Sequence, residues 1–241
     1  MTRLSSTILD ARALPAGLAE RLYALYAAHY EACDPARFAS DLAGKDHVIV
    51  LEEGTTLRGF STAAHYPFMS VRGPIQVLFS GDTLIDPAAW GEQGLTRSFA
   101  RLAGALQARS PQTPLYWLLI SKGHRTYRYL SVFARRWFPH PDGDDPQLAE
   151  LAAQLASARF GDAFDARRGV IAHEQSLGHL KPDLAEVPAR IAARADGAFF
   201  LQRNPGYRQG HELVCLTELR PDNLRAVVRQ AFVQGLEHGL V

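Results

Sequence analysis

The segment IQVLFSGDTLIDPAAWGEQGLTRSFARLAGALQ, residues 75–107, decides the fold. It opens apolar and β-rich, closes with helical spacing, and between the two sets Gly91 and Gly94 three residues apart. A chain that turns through glycines into a helix leaves the first amides of that helix unpaired, with the positive end of the dipole behind them. Two readings fit. The glycines turn the chain, or they let the backbone around Trp90, Gly91, Gln93, Gly94, Leu95 and Thr96 close on an oxygen-rich anion. The segment is neither a P-loop, since no Lys-Ser/Thr pair follows the second glycine, nor a dinucleotide fingerprint, since G-x-G-x-x-G is absent.

Upstream, residues 15–32 (PAGLAERLYALYAAHYEA) space Leu18, Leu22, Leu25, Tyr26 and His29 as one helical face. Residues 34–45 (DPARFASDLAGK) predict a second helix, with Asp34 as N-cap and Pro35 at the first helical position. HVIVLEE (47–53), LRGFSTAAHYPF (57–68) and PIQVLFSGDTLID (74–86), parted by Gly54 and Gly73, predict three antiparallel strands. Downstream, a helix from about Leu95 to Arg109 precedes the short apolar run LYWLLIS (115–121), of the length of a buried strand. So long a connection suits a parallel pair with a right-handed crossover. A helix is expected within 123–138, and another from Asp145–Pro146. After them RGVIAHE, GAFFLQ and ELVCLTEL read as strands, and PDLAEVPARIAARA and PDNLRAVVRQAFVQGL as helices.

Composition sets the outer bounds. With 241 residues, 47% hydrophobic and 21% charged, the chain reads as soluble and globular. Lys and Arg number 26 against 25 Asp and Glu, a balance that gives no long-range field for nucleic acid. Two cysteines, Cys33 and Cys215, are too few for a disulfide scaffold. No apolar run is long enough to span a membrane, and the first residues lack a signal-peptide core, so a cytoplasmic location is expected. HPDGDD (140–145) lacks the length and terminal glutamate of a calcium loop, and no metal is expected.

The order of helix, helix, three antiparallel strands, glycine loop, helix, strand and helix resembles the GNAT (N-acetyltransferase) superfamily over residues 46–135. The pyrophosphate loop of that family runs Gln or Arg, two residues, Gly, one residue, then Gly or Ala. Here those positions hold Gly91, Gly94 and Thr96, so Gly94 matches while Gly91 and Thr96 depart from the pattern. The resemblance implies a mixed, mostly antiparallel α/β sheet flanked by helices, with an acyl-CoA-binding core over 1–138. Residues 139–241 would complete the sheet and shape the acceptor pocket, the whole forming one unit.

It also implies an activity: transfer of an acyl group from acetyl-CoA or a longer acyl-CoA, or from the phosphopantetheine of an acyl carrier protein, to a small-molecule amine. If 75–86 is extended, alternation puts Gln76, Leu78, Ser80, Asp82 and Leu84 on one face. On this family's pattern Asp82, or His65 on the preceding strand, takes the ammonium proton, and Tyr127 protonates the departing thiolate. A backbone N–H near the end of the same strand would stabilise the oxyanion. Ser80, His124, Arg125 and Tyr207 are the expected substrate contacts. Plainer roles stand beside these: Asp82 paired with a donor, His65 and Tyr127 as packing, His124 and Arg125 as a solvated helix turn, and Tyr207 as part of a structured hairpin entry. A GNAT-shaped module without catalysis is the alternative that the departures at Gly91 and Thr96 keep open.

Overall fold

Strands form where β-branched and aromatic residues alternate, and helices where apolar residues recur every three to four positions. The computed structural model describes residues 4–240. In chain order the elements begin with β1 (Leu4–Asp10), α1 (Leu18–His29), β2 (Tyr30–Glu31), α2 (Pro35–Ala43), β3 (His47–Glu53), β4 (Thr56–Ser70) and β5 (Gly73–Ile85). There follow α3 (Gly94–Arg109), β6 (Leu115–Ser121), α4 (His124–Phe133), α5 (Pro146–Phe160), β7 (Phe164–Asp165), β8 (Val170–Ile171) and β9 (His179–Leu180). The last are α6 (Pro182–Ala185), α7 (Ala189–Ala192), α8 (Ala195–Arg203), β10 (Glu212–Glu218) and α9 (Ala226–His238).

Two units divide the chain. The first takes the residues up to Ala28, Pro35–Trp117, and those from Leu219 onward; the second takes His29–Asp34 and Leu118–Glu218. This division falls earlier than the expected one at 138, and it returns the C-terminal helix to the first unit.

In the first unit the strand order is β1-β3-β4-β5, with the start of β6 next to β5. β1, β3, β4 and β5 pair antiparallel. Between β5 and β6 the contacts advance the same way along both strands. Gln76 N–H donates to the Pro114 carbonyl at 2.8 Å, and Trp117 Nε1 donates to Ser80 Oγ at 2.9 Å. β5 and β6 are therefore parallel, as the long α3 crossover requires. Helix α3 buries Leu95, Phe99, Leu102 and Leu106, a stripe at helical spacing. It ends where Gln107 Nε2 caps the Ser110 and Thr113 carbonyls at 2.9 and 3.1 Å. On the face of β4 that carries Phe60, Phe38 of α2 meets Phe60 edge-on with centroids 6.2 Å apart.

β1, the antiparallel partner of β3 from Leu4↔Glu53 to Asp10↔His47, was not expected from the sequence. Its serines and threonine give it no apolar run, and the ladder to β3 makes it a strand. In the second unit β10 pairs antiparallel with β8, and β8 with β7. GAFFLQ, expected as a strand, lies inside helix α8, where Phe199 and Phe200 pack on the Tyr127 ring at centroid distances of 5.9 and 6.0 Å. Residues 182–195 form two short helices around Pro188 in place of one.

Candidate functional site

The sequence placed Ser80 and Asp82 on one face of β5, and the register corrects this. Ala63 pairs with Ser80 and Ser61 with Thr83, so β4 advances two residues while β5 advances three. Gly81 and Asp82 together oppose the single Thr62: a β-bulge, which locally turns the strand and re-aims its peptides. Past the bulge Thr83 shares the face of Ser80, and its hydroxyl lies 2.8 Å from Ser61 Oγ. Asp82 is half-buried at the bulge.

Ser80 sits in the core. It is 1% exposed, its oxygen accepts the Trp117 indole, and the Trp117 ring lies 4.7 Å from that of Phe99. His65 is not near the glycine loop. It pairs with Leu78, two residues from Gln76 and hence at the Pro114 end of β5, and its charge interacts with Arg109 at the C-terminus of α3. Burial outweighs the nearby Asp46 carboxylate and holds the imidazole below its ordinary pKa.

The loop after β5 stands at the opposite end. Asp86 caps a 3-10 turn over Pro87–Ala89 by accepting from Ala88 N–H. Trp90 Nε1 donates to the Ile85 carbonyl at 2.9 Å and ties the loop to the strand end. Gly91 adopts φ 97°, a left-handed conformation open to glycine, and the space where its Cβ would stand is empty. Gln93 is the N-cap of α3 but makes no capping bond; its Oε1 accepts from Arg97. Arg97 N–H donates to the Gln93 carbonyl at 2.9 Å. Gly91 through Gln93 are exposed and Gly94 is half-buried, whereas the Leu95 and Thr96 side chains turn inward.

Gly94 is glycine for a reason the sequence did not show. A Cβ there would stand 3.1 Å from Leu51 Cδ1 and 3.5 Å from Ser6 Oγ, and Ser6 Oγ donates to the Gly94 carbonyl at 3.2 Å. The missing side chain lets α3 start against β1 and β3; the open approach to the loop is at Gly91. A cavity of about 400 Å³ lies elsewhere in this unit, among Leu14, Tyr23, Phe38 and Leu42, and no loop residue lines it.

The remaining expected residues belong to the second unit. The Tyr127 hydroxyl donates to the Pro139 carbonyl at 2.8 Å, and burial raises its pKa above the ordinary tyrosine value. Arg125 donates to the Leu184 carbonyl at 3.0 Å near the end of α6. His124 begins α4, is 8% exposed, and is pushed down to about 4 by burial, then by Arg125. Tyr207 packs its ring on Phe200 at 5.7 Å. Sequence reasoning missed the bulge and Lys45 beneath it. Neither has a local signal, because both arise from pairing across strands.

No protein-family profile matches the chain, and no curated protein matches it in sequence. Several solved structures are partly similar. A probable N-acyltransferase from Enterococcus faecalis matches 56% of this chain and 33% of its own, at 10% identity and TM-score 0.41. A GCN5-related N-acetyltransferase from Kribbella flavida matches 56% of this chain and 34% of its own, at 11% identity and TM-score 0.37. A GNAT family N-acetyltransferase from Escherichia coli, solved with CoA, matches 50% of this chain and 64% of its own, at 16% identity and TM-score 0.35. The chain thus spans less than two thirds of each. Its own element order is three antiparallel strands, a glycine loop, a crossover helix and a parallel strand followed by a helix. That order is the one the sequence's resemblance to the GNAT superfamily implies.

Among the described residues no three His, Cys, Asp or Glu side chains gather as a metal site, and no helix is long and apolar enough to cross a membrane.

Proposed function

We propose that the protein transfers an acyl group from a pantetheine thioester, carried by coenzyme A or by an acyl carrier protein, to a primary amine. One observation carries this reading: the β5 bulge and the uncapped start of α3 lie at the same end of one strand. Asp82 is three residues from Ile85, whose carbonyl holds Trp90 of the loop, so about 10 Å of strand separates them.

Amides at the start of α3 would hold the diphosphate, as helix N-termini do. A peptide N–H of the bulge would receive the thioester oxygen as charge gathers there. Asp82 takes a proton from the ammonium, and the freed nitrogen attacks the carbonyl carbon. A C–N bond forms, the C–S bond breaks, and the second proton that the nitrogen sheds passes through water to the departing thiolate. Neither His65 nor Tyr127 has a part in this scheme. Gly91 in place of the family's Arg or Gln leaves the diphosphate held by backbone alone, which also suits a thioester-binding module without catalysis.

The experiment is thermal denaturation with and without acetyl-CoA, then thiol release on adding primary amines. Stabilisation followed by amine-dependent thiol release supports the enzyme, and stabilisation alone supports the module. If neither acetyl-CoA nor a pantetheine-loaded carrier raises the melting temperature, the reading fails.

A further inference from the structure

Lys45, between α2 and β3, keeps 1% of its side chain exposed. Its Nζ donates to the Asp41 carbonyl at 3.1 Å and to the Asp41 carboxylate, and it lies 5.8 Å from the centre of the Phe79 ring. The Asp41 carboxylate is 47% exposed, so the ammonium alone bears the burial, and burying a charge costs more desolvation than burying an apolar side chain of the same volume; a role other than helix stability is worth seeking. Asp41 accounts for one side of the ammonium. The other side faces the bulge. A Cβ at Gly81 would stand 2.6 Å from Lys45 Cε, 3.1 Å from its Nζ and 2.6 Å from Thr62 Oγ1. That hydroxyl is buried and has no hydrogen-bond partner among the described residues. A cation and an unused hydroxyl therefore converge on one backbone position, and glycine is the residue that leaves room for both.

We propose that Lys45 is a positioning residue for acyl transfer at the β5 bulge. Its side chain wedges against Gly81 and sets the orientation of the Gly81–Asp82 peptide. Its charge adds positive potential where the thioester oxygen becomes negative, in surroundings of low dielectric where such a charge acts strongly. The catalytic half of this inference rests on the acyl-transfer reading above; the structural half does not.

The test is Lys45→Met, which keeps the length and removes the charge, with Lys45→Gln in reserve should the first variant not fold. Asp41→Asn is the control that weakens the ion pair and keeps the ammonium. With acetyl-CoA and a primary amine, Lys45→Met should lower kcat about tenfold while KM for acetyl-CoA stays unchanged, and Asp41→Asn should keep most of kcat. In nitrogen-15 spectra of the full chain, the Gly81 and Asp82 amide resonances should move in Lys45→Met. An unchanged kcat, or equal losses in Lys45→Met and Asp41→Asn, removes the electrostatic role. Unmoved Gly81 and Asp82 amides overturn the positioning role. If the wild-type chain transfers no acyl group, the acyl-transfer reading is what has failed, and the two amide resonances alone decide for or against Lys45 as the group that orients the bulge.

Discussion

Gly104 of α3 and Gly235 of α9 lie where the two helices cross with almost no gap. A Cβ on Gly104 would stand 1.9 Å from the Phe232 carbonyl oxygen, and one on Gly235 would stand 2.1 Å from the Arg101 carbonyl oxygen. Both obstacles are helix backbone, which cannot swing aside as a side chain does. This crossing binds the C-terminal helix to the helix that carries the candidate site. Gly104→Ala should force the helices apart and cost about 3 kcal/mol by overpacking, outweighing the gain in helix propensity. Urea unfolding checks it, and a variant as stable as the wild type would show that α9 sits elsewhere.

Gln93 offers a test of the helix start that does not damage the fold. Its side chain makes no capping bond. Gln93→Asp should add a cap to the α3 amides and stabilise the free protein by about 1 kcal/mol. The same carboxylate would occupy those amides and repel a diphosphate. The melting temperature should rise without ligand, while the shift produced by acetyl-CoA is lost. Retention of the full shift would mean that the amides of α3 do not hold the ligand.

Asp82→Asn separates proton transfer from binding. Loss of a general base typically costs about a hundredfold or more in kcat, with acetyl-CoA affinity kept. Steady-state kinetics beside calorimetric binding decide it; an equal loss of both would move Asp82 from chemistry to structure.

Acid should weaken the fold through its histidines. His124 is lowered to about 4, and His47 and His65 are lowered as well, in each case mainly by burial. The folded state therefore holds fewer protons than the unfolded chain below the ordinary value of 6.5. Stability is complete above that value and falls as pH drops towards 4, where His124 charges in both states. His124→Gln should flatten part of this slope, measured as urea midpoints at pH 7 and pH 4.5. An unchanged slope would mean that His124 titrates as it does in water.

Ser80 accepts a hydrogen bond from the Trp117 indole in the core. Ser80→Ala should leave that N–H buried without a partner and cost about 1 to 3 kcal/mol in urea unfolding, with no effect on ligand affinity. A loss of acetyl-CoA affinity in this variant would restore Ser80 to the site.

Much of the framework was legible in the sequence, because it depends on local periodicity. The stripe of α3, the Asp145 cap of α5, and the run of three strands through Gly54 and Gly73 each follow from neighbours within a few residues. The same information placed the glycine loop between β5 and α3. What tertiary structure alone decided was pairing and packing. Residues 4–10 became a strand because β3 offered a ladder, and GAFFLQ became a helix because its phenylalanines had the Tyr127 ring to cover. One extra residue in β5 reversed the alternation after Ser80, while packing across elements set Gly81 against Lys45 and gave Ser80 the Trp117 indole. Periodicity is a property of the chain and can be read along it. Register is a property of two strands at once, and it fixes which side chains meet.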